Sequence, residues 1–374
     1  MERYILAPDS FKGTLTAREV CEILAEEILR ARPRAEVVSI PVADGGEGSV
    51  DAFLTAVGGK KVEVPCHGPY LEERTGFYGL LPDGKAVVEV AAAAGLPLVG
   101  ERREAHNTTT YGVGELMAHA AKAGAKGIIL CLGGSATNDG GCGAAAALGA
   151  RFLDEAGTEF LPTGGTLDRI ASIDLGGQHP LPPVTVMCDI ANPLCGPNGA
   201  RAVFGPQKGA DEAMVTRPDQ NLGHLAAVWK RDLGADVLDL PGAGAAGGMG
   251  GGAVAFWQGR LQMGIETVLD AVRFDALLPG TRMVFTGEGR LDGQSLRGKV
   301  VSGVARRAKA AGVPVVAVVG AMGDGADGIY DQGVAAVFST NHAPLPFEKA
   351  KKHSHENLRR TIRNVMGLIA AAGG

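Results

Sequence analysis

Carboxylates, hydroxyls and lysines gather in this chain where apolar runs end in glycine, the places at which open α/β sheets present groups to ligands. In APDSFKGT (7–14) a strand-like run gives way to Asp9, Ser10 and Lys12. Ser10 and Lys12 have the chemistry to hold a carboxylate or phosphate, although Asp and Ser are also ordinary turn formers. ADGGEGSVD (43–51) and TGEGRLDGQ (286–294) share G-E-G-x-x-D after β-branched runs. Four acids in such turns, Asp44, Glu47, Glu288 and Asp292, exceed what helix capping requires and suit metal or water ligation, with Asp292 counted among the catalytic groups. VTVMCDIANPLCGPNGA (184–200) ends a strand at Asp189 and enters a rigid loop through Asn192. An Asp followed by Asn fits a hydroxyl-activating base or an Mg²⁺ ligand pair, and equally an Asx turn.

IILCLGGSATNDGGCGAAAALG (128–149) passes from a β-branched run through a polar turn into an alanine-rich stretch. We read Gly133, Gly134, Ser135, Asn138, Gly140 and Gly141 as an anion-binding turn, its amides and the following helix start facing a negative group. Other glycine patterns fail in context. GAGAAG (242–247) matches the dinucleotide fingerprint, which needs a helix and then a second strand ending in an acid about 20 residues on. Here the helical pattern runs to Arg273 with no strand before Met283, so a flexible loop or hinge is expected. GLLPDGKA (79–86) lies across a hairpin signal. GQSLRGKV (293–300) follows a strand and opens a helix, but Val300 stands where a P-loop has a hydroxyl and Gly293 lies too far beyond the strand. Lys299 there reads either as a phosphate contact or as a solvated lysine.

The elements that must position these groups follow from apolar periodicity. The N-terminal segment reads strand (4–7), helix (17–31), strand (37–42), helix (49–57), the first helix signalled by a Thr16/Glu19 capping box and an apolar stripe. From Arg282 the same grammar returns: strand MVFTG, helix 300–311, strands PVVAVVGA and AAVFST, and a helix after Pro346. Between them, two runs around Pro82-Asp83-Gly84 signal a hairpin that a purely parallel fold lacks. The expected class is α/β: a Rossmann-like parallel-sheet domain built from both chain ends (1–70 plus 282–374), with an inserted mixed α/β domain (71–281) and a cleft between them.

Composition bounds the partners. The 374 residues suffice for two domains, and 57 glycines, about twice the usual ~7%, argue for many backbone-lined loops. A net charge of −5 gives no footprint for nucleic acid or an anionic membrane, and no apolar run is long enough to span one. Six cysteines without a CxxC pair fit reduced thiols in a cytoplasmic protein. The eight histidines show no metal spacing, and RRTIR (359–363) reads as a solvated helix face.

APDSFKG, PVADGGEG, LGGSATNDGG, CDIANPLCGPNGA, FGPQKGA and TGEGRLDGQSLRGK, in that order over nearly the whole chain, resemble the bacterial glycerate kinase family. The resemblance implies a two-domain α/β kinase that uses ATP and Mg²⁺ to phosphorylate D-glycerate, more often at the 2- than at the 3-position, in a site between its domains. For the transfer itself Asp189 is expected as base or Mg²⁺ ligand, and Lys12 with Arg290 as anion clamps, roles the resemblance does not itself assign. Ser10, Asn192 and Arg290 are expected at the substrate, and the glycine turn with Lys299 at phosphates. The alternatives are a nicotinamide-dependent hydroxy-acid oxidoreductase, resting on GAGAAG, and a non-catalytic sugar-acid binding protein.

Overall fold

Tyr4, Ile5, Leu6 and Ala7 form a run without a polar face, stable in a sheet only if both faces are covered, and all four are fully buried. In the computed structural model, which describes residues 2–42, 45–102, 104–197, 199 and 212–372 (backbone alone for 212–219), they lie in strand β1, Arg3–Pro8. Around β1 runs an all-parallel sheet, ordered β13-β12-β11-β1-β2, with β2 at Glu36–Ser39, β11 at Thr281–Leu291, β12 at Val315–Met322 and β13 at Val334–Ser339. Both chain ends build it, and it forms the core of the first compact unit: Met1–Asp44, Thr55–Val57 and Met263–Gly374.

Helix α1 (Ala17–Ala31) starts at the expected capping box: the Thr16 hydroxyl accepts from Glu19 N at 3.2 Å and the Glu19 carboxylate from Thr16 N at 2.8 Å. Its apolar stripe packs against the terminal helix Ser354–Ala371 through Leu24, Ile28, Ile362 and Met366. RRTIR is not simply a solvated face. Arg363 donates two 3.2 Å hydrogen bonds to Glu27 of α1, buried at 2% exposure, and Arg359 lies 3.7 Å from the same carboxylate. Arg363 holds the Glu27 carboxyl below the usual carboxylate range, against burial. Because the folded value is depressed, this stabilisation is present above the unfolded value and is lost as pH falls through the folded one. The arginines are largely exposed and rehydrate, so Glu27→Gln is expected to cost only about 1 kcal/mol near neutral pH, and nothing in strong acid, by urea denaturation.

The second unit, Gly45–Leu54 and Gly58–Gln262, holds a mixed six-stranded sheet ordered β10-β9-β6-β5-β4-β3. Strands β3 (Lys60–His67), β4 (Glu73–Leu80) and β5 (Lys85–Glu89) are antiparallel neighbours, with the expected hairpin between β4 and β5 pinned by Lys85 N donating to Asp83 Oδ1 at 3.0 Å. Strands β5, β6 (Gly127–Cys131), β9 (Val184–Met187) and β10 (Arg260–Gln262) run parallel, so Glu89, the 132–141 turn and the 188–192 loop all leave from one edge. A separate antiparallel pair, β7 (Arg151–Leu153) and β8 (Ser172–Asp174), lies outside that sheet.

Three local expectations change. The chain joins the units near 44/45, 54–58 and 262/263, whereas the sequence suggested boundaries near 70 and 282. Strand β11 continues to Leu291, so Glu288 and Arg290 stand within a strand end rather than in a turn, and Gly293 follows it closely. GAGAAG is not a flexible loop: after a turn at 242–244 it enters the buried segment Ala245–Trp257, which is kinked by left-handed backbone at Ala246, Gly247 and Gly248. A Cβ on Gly247 would sit 2.1 Å from the Thr137 carbonyl oxygen, so packing against backbone demands the glycine, and no room is left there for a dinucleotide's pyrophosphate.

Candidate active site

The sheet order of the first unit reverses between β1 and β11: from β1 the chain steps outward to β2, and from β11 it steps the other way to β12 and β13. The crevice outside the carboxyl ends of such a strand pair is where doubly wound sheets take ligands. Asp9, Ser10 and Lys12 leave β1 at this point, Glu288 and Arg290 lie at the end of β11, and Asp292 follows it. Asp9 N donates to the Gly287 carbonyl at 2.8 Å, and a Cβ on Gly289 would lie 3.2 Å from Lys12 N, so the two segments touch along their backbones. Ser10 N donates to Asp9 Oδ1 at 2.6 Å, and the Lys12 side chain is exposed. Arg290 is exposed and lies 3.4 Å from Asp292 Oδ2. Lys299, also exposed, precedes the helix Val300–Ala310.

Glu288 differs from the other acids. It is 7% exposed, and its Oε1 is buried without a hydrogen bond. Ser295 Oγ accepts from Asp292 N at 3.2 Å. Burial pushes the Glu288 carboxyl up to about 7, with Asp9 and Asp292 adding to the rise and Ser295 and Lys299 opposing it.

In the second unit, the turn after β6 is a hydrogen-bonded knot. Gly133 N donates to Gly45 O at 2.8 Å, Gly140 N to Gly247 O at 3.1 Å, and Gly141 N to Asp139 Oδ1 at 3.1 Å. Gly134 O accepts from Leu96 N at 2.8 Å, and Ser135 Oγ lies 2.9 Å from Thr137 Oγ1. Asn138 is buried, its Nδ2 without a partner. The expectation that the amides of Gly133, Gly140 and Gly141 face a bound anion is therefore corrected, because each already has an acceptor in the chain. The negative group at the start of the short helix Cys142–Ala147 is Asp139, which the sequence reading passed over. It is fully buried and accepts from Thr110 N at 2.7 Å, Thr110 Oγ1 at 2.9 Å and Gly143 N at 3.1 Å besides Gly141 N. Burial raises its pKa, and those donors oppose the rise. An Asp three residues before an alanine-rich run was the available signal.

Glu89, at the end of β5, was also missed. It is 1% exposed and accepts from Gly48 N and Val50 N, which anchors the GGEG loop and the start of helix Ser49–Val57; burial raises its pKa. Glu47 is exposed in that loop, and Asp44 lies outside the described residues. Asp189 is exposed just beyond β9. Asn192 is half-buried, its carbonyl accepting from Gly242 N at 3.2 Å and Gly244 N at 3.3 Å. Among the described residues, which leave out Asp44, no three His, Cys, Asp or Glu side chains converge as a metal site.

A doubly wound α/β unit that gathers lysines, an arginine and a buried carboxyl at its switch point has the character of an enzyme handling small anionic substrates. Comparison with known proteins makes this particular. The profile of the glycerate kinase family matches residues 4–370, and the chain belongs to that family. It is 43% identical over 375 residues to the glycerate kinase of Bacillus subtilis strain 168, covering 99% of this chain and 98% of that one. It is 43% identical over 373 residues to the glycerate 2-kinase of Escherichia coli K12, covering 98% of each. A crystal structure assigned as glycerate kinase 2 from Salmonella typhimurium LT2 superposes with a TM-score of 0.86 at 42% identity, over 100% of this chain and 99% of that one.

Proposed function

We propose that the protein transfers the γ-phosphoryl group of ATP to the C2 hydroxyl of D-glycerate, giving 2-phosphoglycerate and ADP. The observation that carries this reading is the likeness to a glycerate 2-kinase over 98% of both chains. Phosphoryl transfer needs in-line positioning and compensation of phosphate charge more than covalent help from the protein. In our reading Lys12, Arg290 and Lys299 supply that compensation and Ser10 orients the substrate; Ser135, Asn138, Asn192 and Asp189 are further candidates for contacts with substrate or nucleotide. Mg²⁺ supplies further charge compensation. It usually binds one or two carboxylates together with substrate phosphates. Cytoplasmic ATP and the mostly buried, unbridged cysteines support the cytoplasm as its location.

Lys12→Met is expected to lower kcat/KM about tenfold or more, the effect of removing one charged hydrogen-bond partner, with the fold retained. The reaction itself is tested by a coupled ADP assay over glycerate, other hydroxy acids and sugars, with phosphorus NMR of the product. ADP with 2-phosphoglycerate supports the proposal. A 3-phospho product corrects the regiochemistry, NAD reduction without ATP favours an oxidoreductase, and ligand-induced stabilisation without ADP favours a binding protein.

A further inference from the structure

We propose that Glu288 is the catalytic base of this transfer: as the C2 oxygen of glycerate forms its bond to the γ-phosphorus, the bond from that phosphorus to ADP breaks and the hydroxyl proton passes to the Glu288 carboxylate. The assignment rests on the glycerate kinase reading and goes beyond it, since the sequence offered Asp189 as the base and Glu288 only as a metal or water ligand. Its support is geometric. Glu288 ends β11 beside β1, at the switch point of the sheet, and is almost wholly out of water. Ser295 Oγ accepts from Asp292 N, so its own proton stays available beside Glu288, whose ionised form Ser295 favours. Glu288 Oε1 is buried with no donor, which suits an alcohol donor. The charged groups that face it come from three segments: Asp9 after β1, Asp292 after β11, and Lys299 before the helix Val300–Ala310. Together with burial they bring its proton affinity near neutrality, where a general base is most effective. After transfer the proton leaves to bulk water as the products depart.

These groups give signed expectations. Ser295 and Lys299 favour the ionised form, so Ser295→Ala should move the Glu288 titration up. Asp292 disfavours it, so Asp292→Asn should move it down. The test combines steady-state kinetics with isotope-edited infrared titration of glutamate carboxyls in the unliganded protein, the Glu288→Gln spectrum serving to assign the band. Expected are a loss of about 100-fold or more in kcat for Glu288→Gln with its Mg²⁺ requirement unchanged, a wild-type rate that falls as pH drops through the Glu288 midpoint, and midpoints displaced in the two stated directions. Turnover within a few-fold of wild type in Glu288→Gln, activity restored by added Mg²⁺, or a midpoint indifferent to both neighbours would overturn the assignment while leaving the kinase reading intact. A wild-type protein that releases no ADP with glycerate would instead remove the kinase reading, and the base with it.

Discussion

Asp139→Ala is expected to cost about 3–5 kcal/mol of stability, because it strands several buried donors at once. The carboxylate collects Thr110 N, Thr110 Oγ1, Gly141 N and Gly143 N at 2.7–3.1 Å, and none of these can reach water once it is gone. The same bonds tie the helix Tyr111–Lys122 to the turn after β6, so the loss falls on the part of the second unit that shapes the glycine turn. Asp139→Asn keeps the volume but puts an NH₂ group among donors, and should recover only part of the loss. Chemical denaturation measures both, and a cost below 1 kcal/mol for the alanine variant would show that the knot is not what holds the turn.

Glu288 should leave the second large signature, in the pH dependence of stability. Its folded value, about 7, lies above the ordinary 4.5, so the native state binds the proton more tightly than the unfolded chain. Stability from this group is therefore fully present below 4.5 and falls as pH rises through 7, by about 3 kcal/mol in all. Glu288→Gln carries no such charge, and its stability relative to wild type should rise by about that amount between acid and mildly alkaline pH. A difference that stays flat with pH would mean that the folded carboxyl titrates normally. The site thus trades stability for a base held near neutrality.

Much of the architecture was legible because apolar runs and capping signals are local. The Thr16/Glu19 box, the buried run of β1 and the Pro82-Asp83-Gly84 hairpin each appear where the residues place them. The candidate acids and lysines were legible as types at strand ends, but their roles depend on what surrounds them. Glu288 and Glu47 sit in the same motif, yet one is buried beside Ser295 and the other exposed. Asp139 and Glu89 were hidden because their partners are backbone amides from distant segments, which leave no mark in spacing. GAGAAG misled for a related reason: its Gly247 answers close backbone packing against Thr137, and composition cannot separate that from a flexible loop.

The account stands or falls on where the acceptor's proton goes. Single-turnover ADP formation, measured side by side for Glu288→Gln and Asp189→Asn with saturating ATP and glycerate, addresses it directly. The prediction is a loss of about 100-fold or more for Glu288→Gln and a clearly smaller one for Asp189→Asn. The opposite order, with Asp189→Asn inert and Glu288→Gln near wild type, would move the chemistry away from the ends of β1 and β11 and contradict it.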